Sequence, residues 1–338
     1  MRTTARAIAG GLRRVGRSWG LCVLLLVLNL ATALILAIPL AGSLAGDFHE
    51  RASGPAMMRG FDYPWWSQWS DSHPGWPSTL GPDLLGAGFA LKNVDLLLKG
   101  QFPAGILAMP DAEGKRALLL DPLLLAVAAA YMLMQVFLSG GVLSVLRQGQ
   151  GRWTVRGMLH GASFYCGRFL RVWALMLVAF AFLFALYAPI ARFADGRAYE
   201  AVSESTAEAW LIGRHAVMLM ALLFVHLVGT YARVIIVLEE RSSAVLAVLS
   251  GLAFALRHLL ATMAVAGGMA SLVLLALALW LAFDHAWTAV GYRTQVPLLL
   301  AMQALVLARI VLRVGLAGAL MDLYRRHAAG DPPVAEAA

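Results

Sequence analysis

The chain has 338 residues, 60% of them hydrophobic and only 14% charged, and its net charge of +8 comes from arginine rather than lysine. Soluble proteins carry roughly 25% charged residues, so the composition excludes a water-soluble globule that hides this much apolar surface. The arginines punctuate apolar runs instead of forming a basic face interleaved with exposed aromatics, which excludes a nucleic-acid partner and points to anionic lipid headgroups.

In chain order, Arg2, Arg6, Arg13, Arg14 and Arg17 lead into an apolar run from Trp19 to Leu40. That run exceeds the roughly 7–15 residues of a cleavable signal core, so it reads as an uncleaved first span, Trp19 to Ala45. Five more spans follow: Leu123 to Leu146, Phe169 to Ala191, Leu211 to Leu238, Leu259 to Phe283 and Val296 to Leu320. Each approaches the roughly 20 apolar residues that a bilayer requires, and only helices satisfy their own backbone there. The expected fold is therefore an all-α polytopic membrane bundle of six transmembrane helices, one domain over residues 1–327, with a disordered tail at 328–338.

Arginine counts in the connections set the orientation. The head has no acid, and neither does the stretch with Arg147, Arg152, Arg156, Arg168 and Arg171, so both are placed in the cytoplasm of a bacterial inner membrane. The connection with Asp195, Glu200, Glu204 and Glu208 and the weakly charged one from Asp284 to Gln295 are placed outside. Both termini are then cytoplasmic, in agreement with Arg325 and Arg326 after the sixth span.

Before the third span, Val155 to Leu170 carries a Gly, a Phe three residues later and an Arg beyond it; Val245 to Leu259 repeats the pattern before the fifth, and Ala7 to Trp19 is a looser copy before the first. These predict short amphipathic elbows in the cytoplasmic interface, with arginines snorkelling to phosphates. The chain parses as a threefold repeat with units 1–150, 151–240 and 241–327. An external cap, 46–121, concentrates Trp65, Trp66, Trp69 and Trp76. Its prolines predict irregular chain there, and tryptophan favours the headgroup layer, so the cluster reads as an interfacial belt, with sugar or headgroup stacking as the functional alternative. Leu84 to Leu98 has the spacing of a surface helix.

Ionisable groups at membrane depth are expensive and mark candidate sites. His226, Thr230 and Arg233 share a face of the fourth span with Glu239 and Glu240 at its end, and Arg309 and Arg313 lie one turn apart in the sixth. The expected arrangement pairs Glu239 or Glu240 with Arg233 or Arg313 in a polar cluster that also involves His226 and Arg309 and binds an anionic headgroup; plain snorkelling explains the same residues. Asn29, Thr32, Gln135 and Ser139 are placed to hydrogen-bond between helices, and Gly140-Gly141, Gly267-Gly268 with Ser271, and Gly315 with Gly318 and Ala319 to pack helices closely. No metal or cofactor is expected: Cys22 and Cys166 lack CxxC partners, His215 and His226 are about 16 Å apart along a helix, and no HExxH, GxSxG or P-loop occurs.

Ala232-Arg233-Val234-Ile235-Ile236-Val237-Leu238-Glu239-Glu240 followed by Ser243 to Ser250 resembles a segment of the membrane domain of glycerophosphoryl diester phosphodiesterases, where an inward helix ends in an apolar-plus-Glu run and an Ala-Leu-rich elbow follows. Phe137 to Leu143, Arg168 to Arg171 and Phe61 to Trp66 are similar to bacterial six-helix proteins of this general kind. The resemblance implies architecture and no activity, because the catalytic barrel of roughly 250 residues is missing. The expected function is a non-enzymatic scaffold that associates with lipids or with a partner membrane protein, including a second copy. The alternative is a transporter or permease-like subunit for an anionic or lipidic solute.

Overall fold

The computed structural model describes residues 2–49, 63–73, 108–110, 116–118, 122–149, 153–287 and 292–328. Among them are helices α1 (Arg2–Arg17), α2 (Trp19–His49), α3 (Tyr63–Ser72), α4 (Pro122–Gln148), α5 (Val155–Tyr199), α6 (Glu204–Glu239), α7 (Ala244–Arg257), α8 (Leu259–Ala286) and α9 (Tyr292–Ala328). An antiparallel ribbon pairs β1 (Ala108–Pro110) with β2 (Arg116–Leu118), Met109 facing Ala117. Helices α2, α4, α5, α6, α8 and α9 are each long and apolar enough to cross a membrane, and each contains one of the six expected spans. Trp76, the 84–98 helix and the tail beyond Ala328 lie outside the described residues.

Local chemistry accounts for the helix ends. Thr154, Ser203 and Ser243 cap α5, α6 and α7, their hydroxyls accepting from the backbone N–H of Gly157 (3.0 Å), Thr206 (3.3 Å) and Leu246 (3.4 Å). Glu240 stops α6 by turning left-handed (φ 56°), and Gly149 does the same after α4 (φ 68°). The short helix α3 departs from the expected irregular cap. Its proline, Pro64, sits in the first turn, where no N–H is needed.

Two of the expected elbow segments are separate helices. α1 ends at Ser18 and α7 at His258, whose backbone (φ −116°, ψ 36°) leaves the helix. The segment before the third span is instead continuous with it, a correction to the threefold pattern. Met158, Gly161, Ala162, Tyr165, Phe169 and Val172 form one unbroken buried stripe along α5. A bend at Gly167 would split that stripe.

Two compact units divide the chain: unit 1 comprises Met1–Cys22, Met132–Val273 and Ile310–Ala338, and unit 2 comprises Val23–Tyr131 and Leu274–Arg309. Unit 1 is built round α6, whose most apolar stretch is 56% buried against 11% for those of α4 and α5. Tyr231 is fully buried there, its hydroxyl 3.0 Å from Thr262 and its ring edge-on to Phe254 at 5.0 Å. Leu227, Ala255, Val265, Ala319, Leu320, Leu323 and Ala7 close the same core, so α1, α6, α7, α8 and α9 all meet in it. Glycines set the closest approaches. A Cβ on Gly11 would overlap the backbone of Gly315 and Ala319, and one on Gly141 would stand 2.7 Å from the Met158 carbonyl.

In unit 2, Tyr131 donates to the Asn29 side chain at 2.8 Å, the hydrogen bond between helices expected for Asn29. Thr32 bonds back to Leu28 and Asn29 of its own helix. Trp65 and Trp69 are buried on one face of α3, and Trp69 stacks on His73, which reaches Asp47 at 3.5 Å. Burial removes both indoles from the role of an open stacking platform.

Candidate functional site

The predicted polar residues of unit 1 fall into two groups. His226, Arg233 and Arg313 are near enough to influence one another electrostatically. Arg233 donates to the Gly229 carbonyl (3.1 Å) and the Thr230 hydroxyl (3.3 Å) of its own helix, and Arg313 donates to the Gln135 side chain (3.3 Å). Both carboxylates are held elsewhere, so the expected pairing of Glu239 or Glu240 with Arg233 or Arg313 is corrected. Glu239 meets Arg241 at 2.5 Å and accepts from Tyr324, while Glu240 meets Arg147 at 2.7 Å. Glu239 lies six residues beyond Arg233, about 9 Å along the axis, and other guanidinium groups are nearer. Arg309 belongs to unit 2, is exposed and makes no hydrogen bond to another described residue.

What gathers at this end of unit 1 is a polar knot built from six helices, α1, α4, α5, α6, α7 and α9. Arg14 of α1 pairs with Asp322 of α9 and donates to the Leu146 carbonyl at 3.3 Å. Arg325 of α9 donates to the Arg147 carbonyl at 3.1 Å. The last carbonyls of α4, the negative end of its dipole, are thus covered by two cations. Arg147 also donates to Tyr165 (3.3 Å), and Arg168 donates to the carbonyls of Glu240 (3.1 Å) and Arg241 (3.3 Å) while stacking on Phe164. Arg241 finishes the knot on Ser250 at 2.9 Å.

Electrostatically the knot leaves a surplus of positive charge. Asp322, Glu239 and Glu240 each already hold an arginine. Arg6, Arg13, Arg17, Arg156, Arg171, Arg257 and Arg326 are exposed without a hydrogen-bond partner among the described residues. Sequence reading missed Arg14, Asp322, Arg147, Arg168, Arg241 and Tyr324 as partners. The signal for one of them was legible: Asp322 is an acid inside the otherwise apolar and basic end of the last helix.

Two further features lie away from the knot. In unit 1, Arg214 donates to His215 Nε2 (3.4 Å) and pairs with Asp195, and His215 Nδ1 lies 3.2 Å from the Tyr187 hydroxyl. Because Nε2 accepts, a neutral His215 carries its proton on Nδ1 and donates to Tyr187. In unit 2, Leu26, Leu30, Ala33, Val127, Tyr131 and Gln303 line an apolar chamber of ≈ 600 Å³. Among the described residues no group of three His, Cys, Asp or Glu side chains is placed to hold a metal ion.

Fold and site together define a helical protein of membrane-spanning proportions with a strongly cationic end. No family model, curated protein or solved structure matches the chain, so its function is read from its own geometry.

Proposed function

We propose that this chain is a non-enzymatic, lipid-associating scaffold of the bacterial cytoplasmic membrane, multi-pass with both termini in the cytoplasm, whose arginine end holds anionic headgroups. The observation that carries this reading is the surplus: among the described residues at that end, Asp322, Glu239 and Glu240 are already paired, and the exposed arginines remain. Each arginine near an anionic surface contributes about 1 kcal/mol of attraction. α7 supports the same picture. It buries Ala244, Ala247, Gly251 and Phe254 against the protein and exposes Val245, Leu246, Leu249 and Leu256, the pattern of a helix lying at the acyl boundary. The rival transporter reading draws on the ≈ 600 Å³ chamber, whose lining includes neither Arg309 nor His226, the groups that reading needs.

Native mass spectrometry of the full chain, extracted in neutral detergent and offered equal amounts of phosphatidylglycerol and phosphatidylcholine, tests the proposal. Preferential retention of phosphatidylglycerol that weakens as ionic strength rises is the expected result. Equal retention of the two lipids, or preference that ignores salt, would refute it.

A further inference from the structure

The geometry points to a defined phosphate-binding cleft inside the arginine end, between the α1–α2 junction and the end of α4. This inference rests on the reading of that end as a headgroup surface, and it narrows a diffuse charge to a single seat. The cleft lies wholly within unit 1 and is lined by Arg14, Arg17, Ser18, Gln148 and Trp153 beside the apolar Val145 and Leu146. Its interior holds ≈ 40 Å³, about three waters at the ~10–15 Å³ that each requires, which suits the oxygens of one phosphate group.

Two guanidinium groups reach this space with different duties. Arg14 is anchored by Asp322 and by the Leu146 carbonyl, so its position is set before any ligand arrives. Arg17, one turn on, is exposed and makes no hydrogen bond to another described residue, leaving its full fork for a bidentate contact. Two unfavourable neighbours are already answered: the Asp322 carboxylate by Arg14, and carbonyls at the end of α4 by Arg14 and Arg325. Ser18, at the break between α1 and α2, adds a hydroxyl. Trp153 packs over Gly20, where an added Cβ would sit 3.1 Å from the indole, and so walls the cleft with an amphipathic ring suited to the headgroup layer. A phospholipid phosphate and a free phosphate ion share the chemistry that this cleft recognises.

Arg17→Gln separates this seat from the general charge, with Arg257→Gln as the control, since it removes the same charge outside the cleft. Both positions are exposed, and matched thermal melts of the two variants confirm folding. The full-length protein in neutral detergent is titrated with phosphatidylglycerol by native mass spectrometry, and in a second arm bound phosphatidylglycerol is challenged with inorganic phosphate. Arg17→Gln is expected to weaken the first bound lipid by about tenfold, the scale of one charge-assisted contact, with Arg257→Gln weakening it by a smaller factor, at most about fivefold, the loss of one diffuse attraction. Displacement by inorganic phosphate in wild type, absent in Arg17→Gln, would show that the free ion uses the same seat; a first lipid that depends on Arg17 but resists phosphate would assign the seat to the headgroup. Equal losses in the two variants would overturn the cleft while leaving the lipid-associating scaffold standing. No preference for phosphatidylglycerol in any form would remove both.

Discussion

Asp322 shows how much one side chain decides at the arginine end. It lies 8% exposed and meets Arg14, which in turn caps α4 through the Leu146 carbonyl. Asp322→Asn keeps the shape and deletes the charge, leaving a partly buried guanidinium without its counter-ion. A loss of about 1.5–3 kcal/mol is expected, read as a lower unfolding midpoint in detergent. The double variant Arg14→Met with Asp322→Leu is expected to recover much of it, because an apolar pair of similar bulk avoids the desolvation cost. A midpoint for Asp322→Asn equal to wild type would show that the pair contributes nothing. The same scale explains what was legible of the site. Glu239 and Glu240 stand out in the sequence as acids at the end of an apolar span, and Arg241 is only two residues beyond Glu239, but Tyr324 and Arg147 are chosen by distances across helices that spacing along one chain does not encode.

Among elements, α1 is the piece held by shape rather than by bulk. Ala7, Gly11 and Val15 form its buried stripe, and Gly11 seats directly on Gly315, Gly318 and Ala319 of α9. Gly11→Val overlaps that backbone, which no rotamer relieves, and overpacking of this kind costs about 1–3 kcal/mol. Limited trypsin digestion of the detergent-solubilised protein is expected to cut at Arg13, Arg14 or Arg17 faster in Gly11→Val than in wild type, while Gly16→Ala, which faces open space, keeps the wild-type rate. Equal rates for Gly11→Val and wild type would show that α1 is not held by this contact. The contrast between α5 and α7 belongs to the same scale. Both carry a glycine, a phenylalanine and an arginine at similar spacing, yet α5 runs on because its buried stripe continues, whereas α7 stops at His258, whose ring packs on Phe254 (4.7 Å) and His327 (4.3 Å).

For the whole molecule the test is topological. Ser205 and Ser242 are exposed, one near the start of α6 and one just after its end, and neither caps a helix, unlike Ser203 and Ser243. In a background with Cys166 replaced by Ser, Cys22 being fully buried, an impermeant maleimide is expected to label Ser205→Cys from outside intact cells and Ser242→Cys only after permeabilisation. The reverse pattern would invert the orientation and place the arginine end away from the cytoplasmic leaflet. The six apolar spans were determined by sequence alone, because hydrophobic length and arginine flanks are properties of contiguous residues. Tertiary structure alone decided that Arg14 meets Asp322, that Arg147 meets Glu240 and that α5 passes unbroken through an expected elbow. Ion pairs and helix continuity depend on which faces are pressed together, and residues separated by 308 positions, as Arg14 and Asp322 are, become neighbours only when α1 packs on α9.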